Sequence, residues 1–185
     1  MDEKLDIVDE SGIPTGQIVT RSTAHYKGIR HRTAHLWLAR YKDGALQLLL
    51  QKRSAQKDSH PGCYDISSAG HIPAGSGVMD SALRELSEEL GISATDDELI
   101  PCGFRYYTNK NTFHGKPFID TQVSFVFLLW RDVPEEAFTL QESEVAGVLW
   151  MDFDTIYEKV EQNRIPNCIS LQELNTKKNT IERTK

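Results

Sequence analysis

Cysteine, long apolar runs and excess positive charge are all scarce in this chain, and each shortage narrows what it can be. Only three cysteines, Cys63, Cys102 and Cys168, occur in 185 residues. Their number is odd and their spacing unpaired, so neither a disulfide framework nor a zinc knuckle is indicated, and small half-buried thiols are expected. No apolar run approaches the roughly 20 residues that span a bilayer, and the opening Met-Asp-Glu-Lys-Leu-Asp is acidic, without the apolar core of a secretory signal. Lys and Arg total 21 against 27 Asp and Glu, a net charge of -6. That balance argues against a nucleic-acid duplex as partner, because phosphate contacts need clustered basic residues. There is no internal repeat and no low-complexity tract. The expectation is a soluble cytoplasmic protein with no membrane partner, for which a homodimer is the default assembly.

What is present fits one folded domain. A compact unit of roughly 150 residues buries ~70% of its unfolded surface, enough for a core without staples. Alternation and turn signals predict a hairpin from strands at 5–8 and 17–20, and a second from strands at 33–41 and 45–52 around Asp43-Gly44. Further strands are predicted at 64–68, 102–108, 121–130 and 145–151, and helices at 78–90 and 155–162. The polar residues 175–185 are expected to fray.

The most informative stretch runs from Gly70 to Ile92. Met79, Ala82, Leu83, Leu86 and Leu90 recur at helical spacing, and Gly91 supplies the stop. Glu85, Glu88 and Glu89 then project from one helical face, away from the leucine stripe. Like charges so placed cost a few tenths of a kcal/mol per pair, a repulsion that a divalent cation converts to binding. Carboxylate oxygens suit Mg²⁺ or Mn²⁺, and Arg84 is placed to pair with one glutamate and hold its rotamer. For an arbitrary Glu-rich helix a solvated acidic face is the commoner meaning.

Gly70, Arg84, Glu85, Leu86, Glu88, Glu89, Gly91 and Ile92 nevertheless stand in the register of the Nudix box, and the segment resembles it. Ser76 replaces the first glutamate of that pattern, a residue that in the family supports the loop and helix. The resemblance implies a Nudix-type α/β/α sandwich with a mixed central sheet. Here residues 1–29 would be an N-terminal hairpin extension, 30–165 the Nudix domain and 166–185 a C-terminal tail.

From Asp6 to Asp152 the chain is similar to the superfamily branch that contains isopentenyl diphosphate isomerase. The likeness is carried by Ala24-His25, His31-Arg32, the strand ending at Arg53, Pro61-Gly62, Ala69-Gly70-His71, Phe104-Arg105-Tyr106 and Glu144-Val145. The isomerase needs a cysteine and a glutamate as acid and base, and the matching positions hold Ala69 and Gln122. Those replacements, with the intact Arg-Glu-x-x-Glu-Glu run, favour hydrolysis. His25, His31 and His71 resemble the isomerase's metal-binding histidines, and Asp120 stands near the place of one further ligand. Without the family's glutamates, however, a histidine-bound metal is not expected. His71 reads as a substrate-side or structural residue, His25 and His31 as surface or core residues and His35 as core. No role is assigned to His60 or His114.

By resemblance, Glu85, Glu88 and Glu89 hold Mg²⁺, or Mn²⁺ as the alternative ion, with the backbone carbonyl near Ala69 as a further ligand. Glu88, Glu89, Arg84 and Glu144 are the catalytic candidates. Glu142 is a second loop carboxylate, and Glu144 reads equally as a solvated turn residue. Arg53, Arg105 and Arg21 are candidates for phosphate, with His71 beside them. Tyr106, Tyr107 and Phe113 are candidates for stacking on a base or packing a tail. The implied partner is a small-molecule diphosphate, either a nucleoside diphosphate derivative or another small organic one. The competing readings are an isomerase-like enzyme and a Nudix-like module that binds without cleaving.

Overall fold

A computed structural model describes residues 2–175; from residue 176 on, the end expected to fray lies outside them. Strands β1 (Lys4–Val8) and β2 (Pro14–Thr20) form the expected antiparallel hairpin. The Asp9 carboxylate accepts the backbone N–H groups of Ser11 and Ile13 at 2.8 and 3.0 Å and so closes the turn. Next comes α1 (Arg21–Lys27), a helix that sequence reading missed. At seven residues it is too short to display a period, and its N-cap, Thr20, makes no capping bond through its side chain.

The remaining elements are β3 (His31–Lys42), β4 (Ala45–Arg53), β5 (Tyr64–Asp65), β6 (Ser68–His71), α2 (Val78–Leu90), β7 (Ile100–Phe113), β8 (Lys116–Trp130), β9 (Val145–Asp152) and α3 (Phe153–Glu161). Seven strands form one mixed sheet with the path β5-β4-β3-β8-β7, to which β6 adds at β3 and β9 at β4. β3 runs parallel to β8, and the other pairs are antiparallel. Successive residues of β3 feed opposite cores. Trp37 and Ala39 pack with Leu48, Leu50 and the α3 residues Phe153 and Ile156. Leu36 and Leu38 pack with Leu49 and the α2 residues Leu86 and Leu90. A strand covered on both faces reads as a nearly continuous apolar run, and the sandwich expected from the sequence follows from it.

Two boundaries differ from expectation for identifiable reasons. The single strand predicted at 64–68 is split because the Ser67 hydroxyl accepts the Leu38 N–H at 2.8 Å and donates to the Leu49 carbonyl at 2.7 Å, replacing ladder bonds. Strands β7 and β8 extend well past 102–108 and 121–130 to a tight turn. His114 and Gly115 sit there at φ 50° and 73°, as a two-residue hairpin turn with both central residues left-handed requires.

Candidate active site

A cavity of about 290 Å³ opens where the acidic face of α2 meets β6, the 54–62 loop and the polar ends of β7 and β8. Glu85, Glu88 and Glu89 all line it, with Ala69, Gly70, His71, Arg53, Arg105 and Glu144. Glu89 is 2% exposed. Its Oε2 accepts the Ala69 N–H at 3.3 Å and the Gln51 amide at 3.4 Å, and burial pushes its carboxyl up to about 7. Burial also raises Glu85, with Arg84 pulling the other way. A Cβ at Gly70 would strike the Glu85 carboxyl, so glycine is what lets that side chain lie against β6. Two desolvated carboxylates, Glu85 and Glu89, beside the exposed Glu88 on one cleft fit a hard divalent cation. The Ala69 backbone N–H ties β6 to the box glutamate Glu89.

Arg84 lies behind the glutamates and does not line the cleft. It pairs with two of them, Glu85 at 2.8 Å and Glu88 at 3.0 Å, and approaches the His71 carbonyl at 3.5 Å. The loop around Ser76 is braced by residues that sequence reading did not connect with it. The Asp6 carboxylate accepts the Gly75 N–H at 3.0 Å and pairs with Arg32 at 2.9 Å, while Arg32 donates to the Ser76 carbonyl at 3.4 Å. Asp6 carried no local motif, and only folding brings it to the loop.

The histidines require a correction. His25, His31 and His71, which resemble the isomerase's histidine set but were expected to serve as surface, core or substrate-side residues, form one cluster whose ligand atoms all lie within 4.8 Å of one another. His25 and His31 are 6% and 0% exposed, and Asp120 Oδ1 lies 3.8 and 3.6 Å from their Nε2 atoms. The Ile29 carbonyl contacts His31 Nδ1 at 2.9 Å. A carbonyl only accepts, so the proton sits on Nδ1 and the Nε2 lone pair faces the cluster. Among the described residues His31 Nε2 and Asp120 Oδ1 have no hydrogen-bond partner. Burial lowers all three imidazoles, His25 to about 3. Neutral imidazoles facing a carboxylate are the donor set of a transition-metal site.

The remaining candidates separate clearly. Arg53 faces the cleft but is engaged by Asp65 at 2.9 Å and by the Ser59 carbonyl at 2.9 Å. Arg105 lines the cleft and lies over the Tyr107 ring at 4.7 Å. Arg21 reaches both this cleft and an adjoining cavity of about 900 Å³, which Phe113 and His114 line. Tyr106 is on the outer surface beside Phe104. Of the two loop carboxylates, Glu144 lines the cleft in a close ion pair with Lys57, and Glu142 stays exposed outside it. His35 and His60 line the cleft as well, and so do Ala69 and Gln122. No helix among the described residues is long and apolar enough to cross a membrane.

A family model described as the NUDIX domain matches residues 29–169. The chain is 37% identical over 155 residues to an uncharacterized Nudix hydrolase of Clostridium acetobutylicum, covering 84% of this chain and 72% of that protein. It is 41% identical over 155 residues to Nudix hydrolase 3 of Arabidopsis thaliana, covering 83% of this chain but only 20% of that relative's length. The fold is similar to that of DR0079 from Deinococcus radiodurans, with a TM-score of 0.68, 18% identity, and coverage of 94% of this chain and 98% of that one. With its box glutamates gathered in one cleft and a family match running through most of its length, the chain belongs to the Nudix hydrolase family.

Proposed function

We propose that this protein is a Mg²⁺-dependent hydrolase that cleaves a phosphoanhydride bond in a nucleoside diphosphate derivative or another small organic diphosphate, with Mn²⁺ as the alternative ion. The observation that carries this reading is the convergence of Glu85, Glu88 and Glu89 on a cleft that also presents Lys57, Arg105 and Glu144. Glu85, Glu88 and Glu89 would hold a divalent cation there, which would supply charge shielding for the phosphates and activation of the attacking water. Around it, Arg84 holds Glu85 and Glu88 in place, and the Ala69 carbonyl is a further ligand candidate. Lys57 and Arg105 supply positive charge to the phosphate oxygens. Glu144 is the proposed general base. Its pairing with Lys57 gives way as Lys57 engages phosphate, which leaves the carboxylate to take a proton from the attacking water. The water oxygen bonds to phosphorus, the bridging P–O bond breaks, and the leaving phosphate carries off the electron pair.

The isomerase alternative lacks its proton carriers. Ala69 and Gln122 both face the cleft, and neither side chain can shuttle a proton, so the branch resemblance supports ancestry more than activity. The test is product analysis with Mg²⁺ across nucleoside diphosphate derivatives and isopentenyl diphosphate, for the wild type and for E88Q and E89Q. Cleavage that is lost in both folded variants supports the assignment, and full activity in either overturns it. Isomerised, uncleaved isopentenyl diphosphate would instead establish the isomerase. A ligand-induced thermal shift without product would indicate the binding module.

The histidine cluster supports a second reading, in which His25, His31 and His71 with Asp120 hold an imidazole-preferring cation in the same cleft. Metal analysis after dialysis tests it. H31A should lose one equivalent of metal that an E85Q/E88Q/E89Q variant retains; equal retention by both would exclude the cluster.

A further inference from the structure

Glu173 lies beyond the residues matched by the family model and is buried at 3% exposure. Its Oε1 accepts the Trp37 indole N–H at 2.7 Å, and its Oε2 contacts His35 Nδ1 at 3.1 Å and Arg105 Nε at 3.3 Å. Trp37 and His35 are two residues apart on β3, so both side chains fall on one face of the sheet. Arg105 joins them from β7 through the register Arg105↔Ser124 and Thr33↔Ser124. One carboxylate thus reaches beneath the cleft floor, and two of these partners, His35 and Arg105, line the cleft itself.

A buried carboxylate costs several kcal/mol unless it is paired, and well-packed apolar residues commonly replace such pairs without loss of stability. What an ion pair in this position supplies is geometry. A guanidinium is a planar fork. Here Nε lies 3.3 Å from Glu173 Oε2 as an ion pair without hydrogen-bond geometry, and the plane lies over Tyr107. Among the described residues the Arg105 guanidinium, Nε included, makes no hydrogen bond to the protein, whereas the terminal nitrogens of Arg53 are taken by Asp65 and Ser59. Of these two, Arg105 is the arginine whose fork is available, held by its ion pair with Glu173 and by the Tyr107 ring.

We infer that Glu173 is a positioning residue that sets the Arg105 guanidinium for a phosphate group of the substrate, an inference that rests on the diphosphate reading of the cleft. It makes residues 170–175, which follow the family-matched region, part of the binding machinery.

A double-mutant cycle on the full chain tests it, with E173Q, R105A and the double variant. Binding of inorganic pyrophosphate with Mg²⁺ is measured by calorimetry, and turnover is measured on whichever diphosphate is cleaved. The expected result is that Kd and KM rise about tenfold in E173Q, within the range of coupling between charged residues in contact, with kcat little changed. R105A should lose at least as much, and the double variant should be no worse than R105A alone. Losses that add independently, or a fall in kcat with unchanged KM, would overturn the positioning role. Should E173Q melt below the assay temperature, R105A alone decides, and an unchanged Kd overturns the inference. Pyrophosphate binding without any cleavage would reject the hydrolase reading and leave this one standing, whereas wild-type protein that binds no pyrophosphate rejects both.

Discussion

Glu85 fills the space into which a side chain at Gly70 would project, so the box glycine and the first of the three helix glutamates are one steric unit. Replacing Gly70 with Ala should push the Glu85 carboxyl out of the cleft while β6 stays paired with β3. Displacement of a reacting constellation by about 1 Å can cost on the order of 100-fold in rate, and a loss of that size is expected in kcat with a near-native circular dichroism spectrum. Gly147→Ala is the control, because nothing lies within 4 Å of a Cβ there. Comparable losses in both would show that the Gly70 contact is irrelevant.

Glu89 should make the metal-free protein less stable as pH rises. Burial raises its carboxyl from 4.5 to about 7, so between those values the folded state holds a proton that the unfolded state has released. Stability falls across this window, and the cost is fully present above it. E89Q cannot ionise, and with chelator at pH 8 it should melt above the wild type, the two drawing together near pH 4. A lower melting temperature for E89Q at pH 8 would contradict this.

Beyond the C-terminal end of α2, Glu98 behaves in reverse. The hydrogen bond from Arg131, backed by a backbone N–H of Thr95, holds its carboxyl down to about 2. A depressed carboxylate stabilises the fold above its unfolded pKa, and the contribution disappears as pH falls through the folded value. R131A should therefore melt below the wild type at pH 6 and converge with it near pH 2. The effect should be small, because the pair is solvated, and a difference that persists in acid would assign it to something other than Glu98.

Burial raises the Cys168 and Cys63 thiols, Cys168 the more strongly, and Cys102 is buried. Alkylation by iodoacetamide at pH 8 should be slow for native protein and rapid for all three sites in denaturant, since the thiolate is the nucleophile. Rapid native labelling of Cys168, followed by peptide mass, would refute this.

Local spacing was enough to make α2 legible. Its leucines, its stop at Gly91 and its three glutamates sit within about four turns, where helical geometry alone dictates which side chains share a face. The alternating and apolar strands were legible for the same reason, with their ends misjudged where Ser67 and the His114-Gly115 turn intervene. The hairpin at Asp43-Gly44 needed only its two turn residues. By contrast, His25, His31, His71 and Asp120 were grouped only by resemblance to the isomerase's ligand set and discounted for want of its glutamates, because no local pattern shows that they meet. They meet because β3 pairs with β8 on one side and β6 on the other, with α1 lying over β8. Glu173 was hidden for the same reason: His35 and Trp37 lie 138 and 136 positions away on β3, and Arg105 reaches it from β7. Contacts of that range are set by sheet register, to which a local pattern of residues carries no key.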